Sequence, residues 1–159
     1  MTSTSEPTET AVIVPVPDAE PVVAGYRKRF DAAATWGVPA HVTVLYPFVP
    51  PARLDRQVID QLQRLLRDVP AFDCTFTGCG WFGDEVLWLA PEPVGVFRAL
   101  TARVFAAFPD CPPYGGQFDD VLPHLTVGHS GAKEELRPVQ AEWTPRLPIR
   151  SHPAHALLR

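Results

Sequence analysis

The chain reads PAHVTVLYPF at residues 39–48 and LPHLTVGHS at residues 122–130. Both stretches contain the same tetrad, His-apolar-Thr-apolar: His41-Val42-Thr43-Val44 and His124-Leu125-Thr126-Val127. Successive side chains of a β-strand point to opposite faces, so residues two apart share one. Each stretch therefore reads as a strand with an imidazole and a hydroxyl on one face and aliphatic side chains on the other. In this composition the expected number of such matches is on the order of 0.1, and two by chance on the order of one in several hundred. A single His on a strand is most often a hydrogen-bonded structural residue. Packing gives no reason to need the same polar pair twice.

Outward from the two tetrads, a longer pattern repeats. AVIVPVP (residues 11–17) is a β-rich run ended by proline. Asp18 can cap the helix that follows, with Val22 or Val23, Tyr26 and Phe30 at helical spacing. A loop, AAATWGVPA, leads to the first His strand. In the second half, EVLWLAP is again a strand ended by proline. A helix striped by Val96, Leu100, Val104 and Phe108 follows, then a turn-rich loop, then the second His strand. Strand, helix, loop, His-strand thus occurs twice. Between the halves lies a proline-bracketed helix over residues 50–70, striped by Leu54, Val58, Leu62, Leu65, Leu66 and Val69. A β-hairpin comes next, turning near Phe82-Gly83-Asp84. Beyond residue 130 the pattern weakens to a short helix in AKEELRPVQAEW and strands in RLPIRS and HALLR.

At 159 residues the chain is one domain or two packed half-size lobes, and with 46% apolar residues it can bury a substantial core. The first ten residues are polar and read as a disordered tail, leaving 11–159 as a single bilobal domain. The acidic start is no secretory n-region, and no apolar run reaches membrane-spanning length. Three cysteines, an odd number, read as reduced thiols in the cytoplasm. The net charge of −4 excludes indiscriminate binding to nucleic acid, an extended duplex included, but not a local phosphate site.

If the halves pack by pseudo-twofold symmetry, two His and two Thr converge. Two imidazoles supply a general base and a general acid near neutral pH. Two hydroxyls donate to the oxygens of one anion. A phosphodiester offers an incoming oxygen, a leaving oxygen and two non-bridging oxygens, which suits in-line displacement at phosphorus.

HVTV and HLTV, about 80 residues apart on the repeat, resemble the paired His-x-Thr-x motifs of the two-histidine (2H) phosphoesterase superfamily, the 2′-5′ RNA ligase family proteins. The resemblance runs through PAHVTVLYPF, GWFGDEVLWLAP and LPHLTVGH and covers roughly residues 11–150. It implies an α+β fold: a bilobal, duplicated unit with two antiparallel β-sheets flanked by helices around a central cleft. It implies metal-independent hydrolysis or formation of RNA-type phosphodiesters, either 2′,3′-cyclic phosphates or 2′-5′ linkages. His41 and His124 take the catalytic positions, Thr43 and Thr126 the phosphate-binding ones. The substrate is then a small nucleotide or RNA end, handled by a monomer without a cofactor. The family usually carries a final strand or hairpin beyond the point where this chain stops.

Other residues weigh less. Tyr46, Phe48, Trp81 and Phe82 are candidates to stack a nucleobase at the cleft rim, with core packing as the competing role. Arg27, Lys28 and Arg29 fall on the polar side of the first helix, where a solvated face competes with phosphate attraction. His129, at odd offset from His124, points away from the site, and His152 and His155 read as solvent residues. Cys74 and Cys79, also at odd offset, face opposite sides, which argues against a metal pair. Two other readings of the four motif residues stand beside catalysis. One is a non-catalytic module that binds a nucleotide or RNA end, although Arg would hold a phosphate better than His. The other is a metal site on His41 and His124, disfavoured because Thr is a poor ligand and no carboxylate accompanies either motif.

Overall fold

Strand β1 (Val12–Pro15) and strand β2 (His41–Leu45) pair antiparallel, joined through helix α1 (Glu20–Phe30) and the short α2 (Ala32–Thr35). The computed structural model describes residues 9–83, 85–116, 122–129, 133–153 and 157–158. After β2 come α3 (Arg56–Arg67), the hairpin strands β3 (Cys74–Phe82) and β4 (Val86–Glu92), and α4 (Val94–Ala107). The remainder is β5 (Leu125–Gly128), α5 (Lys133–Trp143), β6 (Ile149–Ser151) and β7 (Leu157–Leu158). The strands form two antiparallel sheets, ordered β2-β1-β7 and β5-β4-β3-β6. The fold is α+β, and the repeat seen in the sequence is a unit of strand, helix and antiparallel strand: β1-α1-β2 and β4-α4-β5.

The helix of each unit packs on the other unit's histidine strand, α1 against β5 and α4 against β2. Side chains and caps explain the exchange. On α1, Val23 and Phe30 are buried, and the Phe30 carbonyl accepts the His129 N–H at 2.8 Å, tying the helix end to the end of β5. On α4, Phe97, Leu100 and Val104 are buried, and Thr101 Oγ1 donates to the Val44 carbonyl at 2.6 Å. Burying each of those three apolar side chains is worth about 1.5–3 kcal/mol at the upper limit. The stripe expected on α4 included Leu100 and Val104 but not Phe97, the largest of the three buried side chains, because Phe97 lies one residue round from the spacing used.

Under this exchange the halves share one core. It contains Val12, Val14, Val42 and Val44 from the first sheet and Phe76, Leu87, Leu89, Leu125 and Val127 from the second. Helix α3 is the least embedded. Of its apolar stripe only Leu62 is fully buried, and its start is fixed by Asp55, whose carboxylate accepts the Val58 N–H at 2.9 Å. Of the expected N-terminal tail, residues 1–8 lie outside the described residues. Thr10 is buried, its hydroxyl donating to the Val49 carbonyl at 2.6 Å. Asp84 of the hairpin turn also lies outside them, while Gly83 supplies the turn's left-handed conformation at φ +58°. Among the described residues no helix is long and apolar enough to cross a membrane.

Candidate active site

His41 opens β2, opposite Pro15 of β1. Its Nδ1 lies 2.8 Å from the Pro39 carbonyl oxygen. His124 directly precedes β5, and its Nδ1 lies 2.7 Å from the Leu122 carbonyl oxygen. A carbonyl only accepts, so each Nδ1 carries a proton and donates it. Each neutral ring then keeps Nε2 as its acceptor atom, able to take a proton, and each imidazolium has one there to give. Two residues in separate halves use the same bond to the carbonyl two positions back. The local backbone thus prepares both rings in the same tautomer.

β2 and β5 are edge strands of their respective sheets, and they lie against each other where the sheets meet. His41 and Thr43 are half-buried on one face of β2 while Val42 and Val44 are buried on the other, and Leu45 closes the polar face. In β5, Thr126 is half-buried between the buried Leu125 and Val127. No described residue hydrogen-bonds to the hydroxyl of Thr43 or Thr126, which leaves both available to a ligand.

Both imidazoles titrate below their ordinary value of 6.5. For His41 burial is the main cause; the bond to Pro39 and the Asp31 carboxylate oppose it, while Arg27 and His124 add to it. For His124 burial also leads, opposed by the bond to Leu122. His124 lies near enough to add to the lowering of His41.

Of the four stacking candidates, the structure separates two from two. Phe82 is 38% exposed and meets the His124 ring edge-on at 4.7 Å between centroids. Tyr46, just past β2, is 37% exposed, stands edge-on to Tyr114 at 6.2 Å, and donates its hydroxyl to the Glu9 carboxylate. That bond, with burial, pushes the Tyr46 phenol up to about 12. Phe48 does not line a rim: it is buried and packs edge-on against Phe108 at 4.9 Å. Trp81 turns toward the core and donates Nε1–H to Gln140 at 3.1 Å. Phe82 and Trp81 are neighbours on β3 and so must take opposite faces.

Trp88 of β4 is the site residue the sequence reading missed. It pairs with Thr126 on one side and Gly80 on the other, and its ring lies 6.0 Å from His124 and 5.0 Å from Phe82. A Cβ at Gly80 would fall 2.4 Å from the Trp88 ring, so the indole occupies space that only glycine leaves. A glycine across the hairpin from a tryptophan was the available signal.

Three expectations need correction. Arg27 is not on a solvated face: it is 2% exposed, bonded through Nε to Asp31 at 3.1 Å and through Nη2 to the Val38 carbonyl at 3.0 Å. Lys28 and Arg29 are exposed. Cys74 and Cys79 do not face opposite sides. A bulge between Phe76 and Gly78 resets the alternation, and both thiols pack against the core. Burial pushes Cys74 up to about 11, the mark of an inert thiol. The third, Phe48, is described above. His129 is exposed, and His152 pairs with Asp73 at 2.6 Å on the surface; His155 lies outside the described residues.

The tetrad His-apolar-Thr-apolar thus stands twice on a duplicated α+β unit. Residues 14–157 match the model of the 2′-5′ RNA ligase superfamily, and the chain belongs to that superfamily. It is 25% identical over 120 residues to a Geobacillus kaustophilus (strain HTA426) protein that carries a provisional phosphoesterase name. That match covers 74% of this chain and 66% of the relative's own length, just under two thirds. Among solved structures, the crystal structure of E. coli LigT complexed with NADP+ aligns with 20% identity and a TM-score of 0.49. The alignment covers 79% of this chain and 73% of that one.

Proposed function

We propose that the chain is a phosphoesterase that acts on RNA-type phosphodiesters, 2′,3′-cyclic phosphates or 2′-5′ linkages, using His41 and His124 as its acid–base pair. Superfamily membership supports the reaction class. The observation that carries the assignment is the twin anchoring of Nδ1, at Pro39 and at Leu122, which leaves Nε2 of each ring as the atom that takes or gives a proton. In hydrolysis of a cyclic phosphate, one neutral imidazole takes a proton from water as its oxygen attacks phosphorus. The other, protonated, gives its proton to the departing ribose oxygen as that P–O bond breaks. The chain ends with one imidazolium and one imidazole, exchanged, and proton transfer through solvent restores the start.

Thr43 and Thr126 donate their unengaged hydroxyls to the non-bridging oxygens, on which charge builds at the transition state. Phe82 and Trp88 form an aromatic wall beside His124 that keeps water from its ring and offers a face to a nucleobase. The net charge of −4 favours a small nucleotide or an RNA end over a long polyanion. The test is turnover of 2′,3′-cyclic mononucleotides and 2′-5′-linked dinucleotides, each with and without EDTA. Turnover unaffected by EDTA is expected. Binding of these compounds without any turnover would replace the enzyme with a binding module.

A further inference from the structure

The backbone just before His41 is irregular, and every polar group in it is matched. The Val38 N–H donates to the Ala33 carbonyl at 3.1 Å, and the Val38 carbonyl accepts from Arg27 at 3.0 Å. The Pro39 carbonyl accepts from His41 itself at 2.8 Å. The Ala40 N–H donates to Glu20 Oε1 at 2.5 Å, and the Ala40 carbonyl accepts from the Val16 N–H at 2.8 Å. Proline has no N–H, so the account is complete. Two of these bonds come from side chains of one helix, α1.

Those two side chains are linked. Arg27 Nη1 stands 3.8 Å from Glu20 Oε1, and Arg27 Nε bonds Asp31, whose other oxygen accepts the Ala33 N–H at 3.2 Å and caps α2. The Arg27–Asp31 pair is buried while Glu20 is half-exposed, and a buried ion pair is a poor stabiliser, since apolar residues of equal volume often serve as well. It does fix geometry, because a planar guanidinium hydrogen-bonded to Asp31 and to the Val38 carbonyl, with Glu20 as a third ion-pair contact, has one orientation. The same helix lies on β5, with the Phe30 carbonyl bonded to the His129 N–H. α1 therefore touches the approach to His41 and the strand of His124 at once.

We propose that Glu20 and Arg27 are positioning residues, which clamp residues 38–40 and thereby orient the His41 ring relative to His124. Among the described residues the Pro39 carbonyl is the partner of His41 Nδ1, and it sits between the two clamped peptides. Release of either peptide turns that carbonyl and frees the ring. The consequence for turnover rests on the phosphoesterase reading; the clamp itself does not. The charged and titratable groups that act on His41 are Arg27 and Asp31 from α1 and its end, and His124 from across the seam. Glu20→Gln removes the charge and keeps the acceptor for the Ala40 N–H, which separates geometry from any direct electrostatic effect of Glu20 on the ring.

The experiment compares Glu20→Ala, Glu20→Gln and Arg27→Lys with the wild type in the full chain. Imidazole nitrogen NMR above pH 7 reads the tautomer of each histidine, and kinetics with a 2′,3′-cyclic mononucleotide reads turnover. In Glu20→Ala the His41 ring is expected to lose its fixed Nδ1–H tautomer while His124 keeps its own. The value of kcat should fall roughly 10- to 100-fold, with KM within about twofold, as a small misplacement of a catalytic group does. Glu20→Gln keeps an oxygen acceptor for the Ala40 N–H and should restore both signals. Arg27→Lys keeps the charge but cannot bond Asp31 and the Val38 carbonyl through one planar group, and should repeat the His41-selective change. An unaltered His41 in folded Glu20→Ala, an equal change at both histidines, or no rescue by Glu20→Gln overturns the clamp. If the NMR result holds while the wild type turns over no substrate, the clamp stands and the phosphoesterase reading falls.

Discussion

His41 and His124 are held alike: each donates Nδ1–H to the carbonyl two residues back, to Pro39 at 2.8 Å and to Leu122 at 2.7 Å. Their surroundings differ. His41 lies under the influence of Arg27 and Asp31, whereas His124 is walled by Phe82 and Trp88. The two halves share this anchoring and differ in its environment, which suits the opposite protonation states that the proposed mechanism requires of the two rings.

The pH dependence of kcat/KM should be bell-shaped, with both limbs belonging to the coupled pair. Because burial lowers both histidines, the limbs in the free enzyme should fall below 6.5. A bound phosphate anion favours the imidazolium, so the limbs of kcat should lie higher than those of kcat/KM. A rate that climbs steadily to pH 10 would exclude a pair of histidines.

The same shifts bear on stability. A histidine lowered in the fold is neutral there at pH values where the unfolded chain is already protonated. The unfolded state then binds more protons, so stability is full above 6.5 and declines as pH falls toward the folded values. Urea melts at several pH values should show a weaker acid loss in His41→Gln/His124→Gln than in the wild type.

Alanine at His41 or at His124 should each lower turnover about 100- to 10,000-fold. The double replacement should cost less than the product of the two, because the groups act in one transition state. Thr43→Val and Thr126→Val should reduce turnover roughly 10- to 1,000-fold. Their hydroxyls have no hydrogen-bond partner among the described residues, so stability should change by less than about 1 kcal/mol. A large stability loss in either Thr variant would show that the hydroxyl serves the fold.

Phe82→Ala opens one side of His124. The ring is 38% exposed, so the stability loss should be smaller than the roughly 3–5 kcal/mol of a fully buried Phe. Burial is the chief cause of the low His124 value, so its pKa should rise toward 6.5 while that of His41 moves less. Titration of both rings by NMR distinguishes this from a general loosening.

Gly80→Ala puts a methyl group 2.4 Å from the Trp88 ring, which must move. The expected cost is about 1–3 kcal/mol, measured by chemical denaturation, together with a shift of the His124 signals. Gly78→Ala on the same strand, with nothing within 4 Å of the added carbon, is the control.

The sequence alone determined which residues alternate. Period-two alternation within β2 and β5 put His41 with Thr43 and made Thr126 the polar member of its strand, and the repeat of strand, helix and strand disclosed the duplicated α+β unit. Local covalent geometry is sufficient for that, because the pleat dictates sides without reference to any neighbour. The sequence reading failed where a neighbour decides. A bulge between Phe76 and Gly78 brought Cys74 and Cys79 to the same side, and a bulge is a property of a strand pair. Phe48 became core because α4 crosses from the other half and presents Phe108 to it. Arg27 looked like a surface charge because α1 was read in isolation. In the structure the loop after α2 folds back on the helix, so that Asp31, Glu20 and the Val38 carbonyl surround the guanidinium. Which helix covers which sheet is fixed by long-range packing of the shared core. No local pattern encodes that exchange, and it is what brings His41 and His124 to one seam.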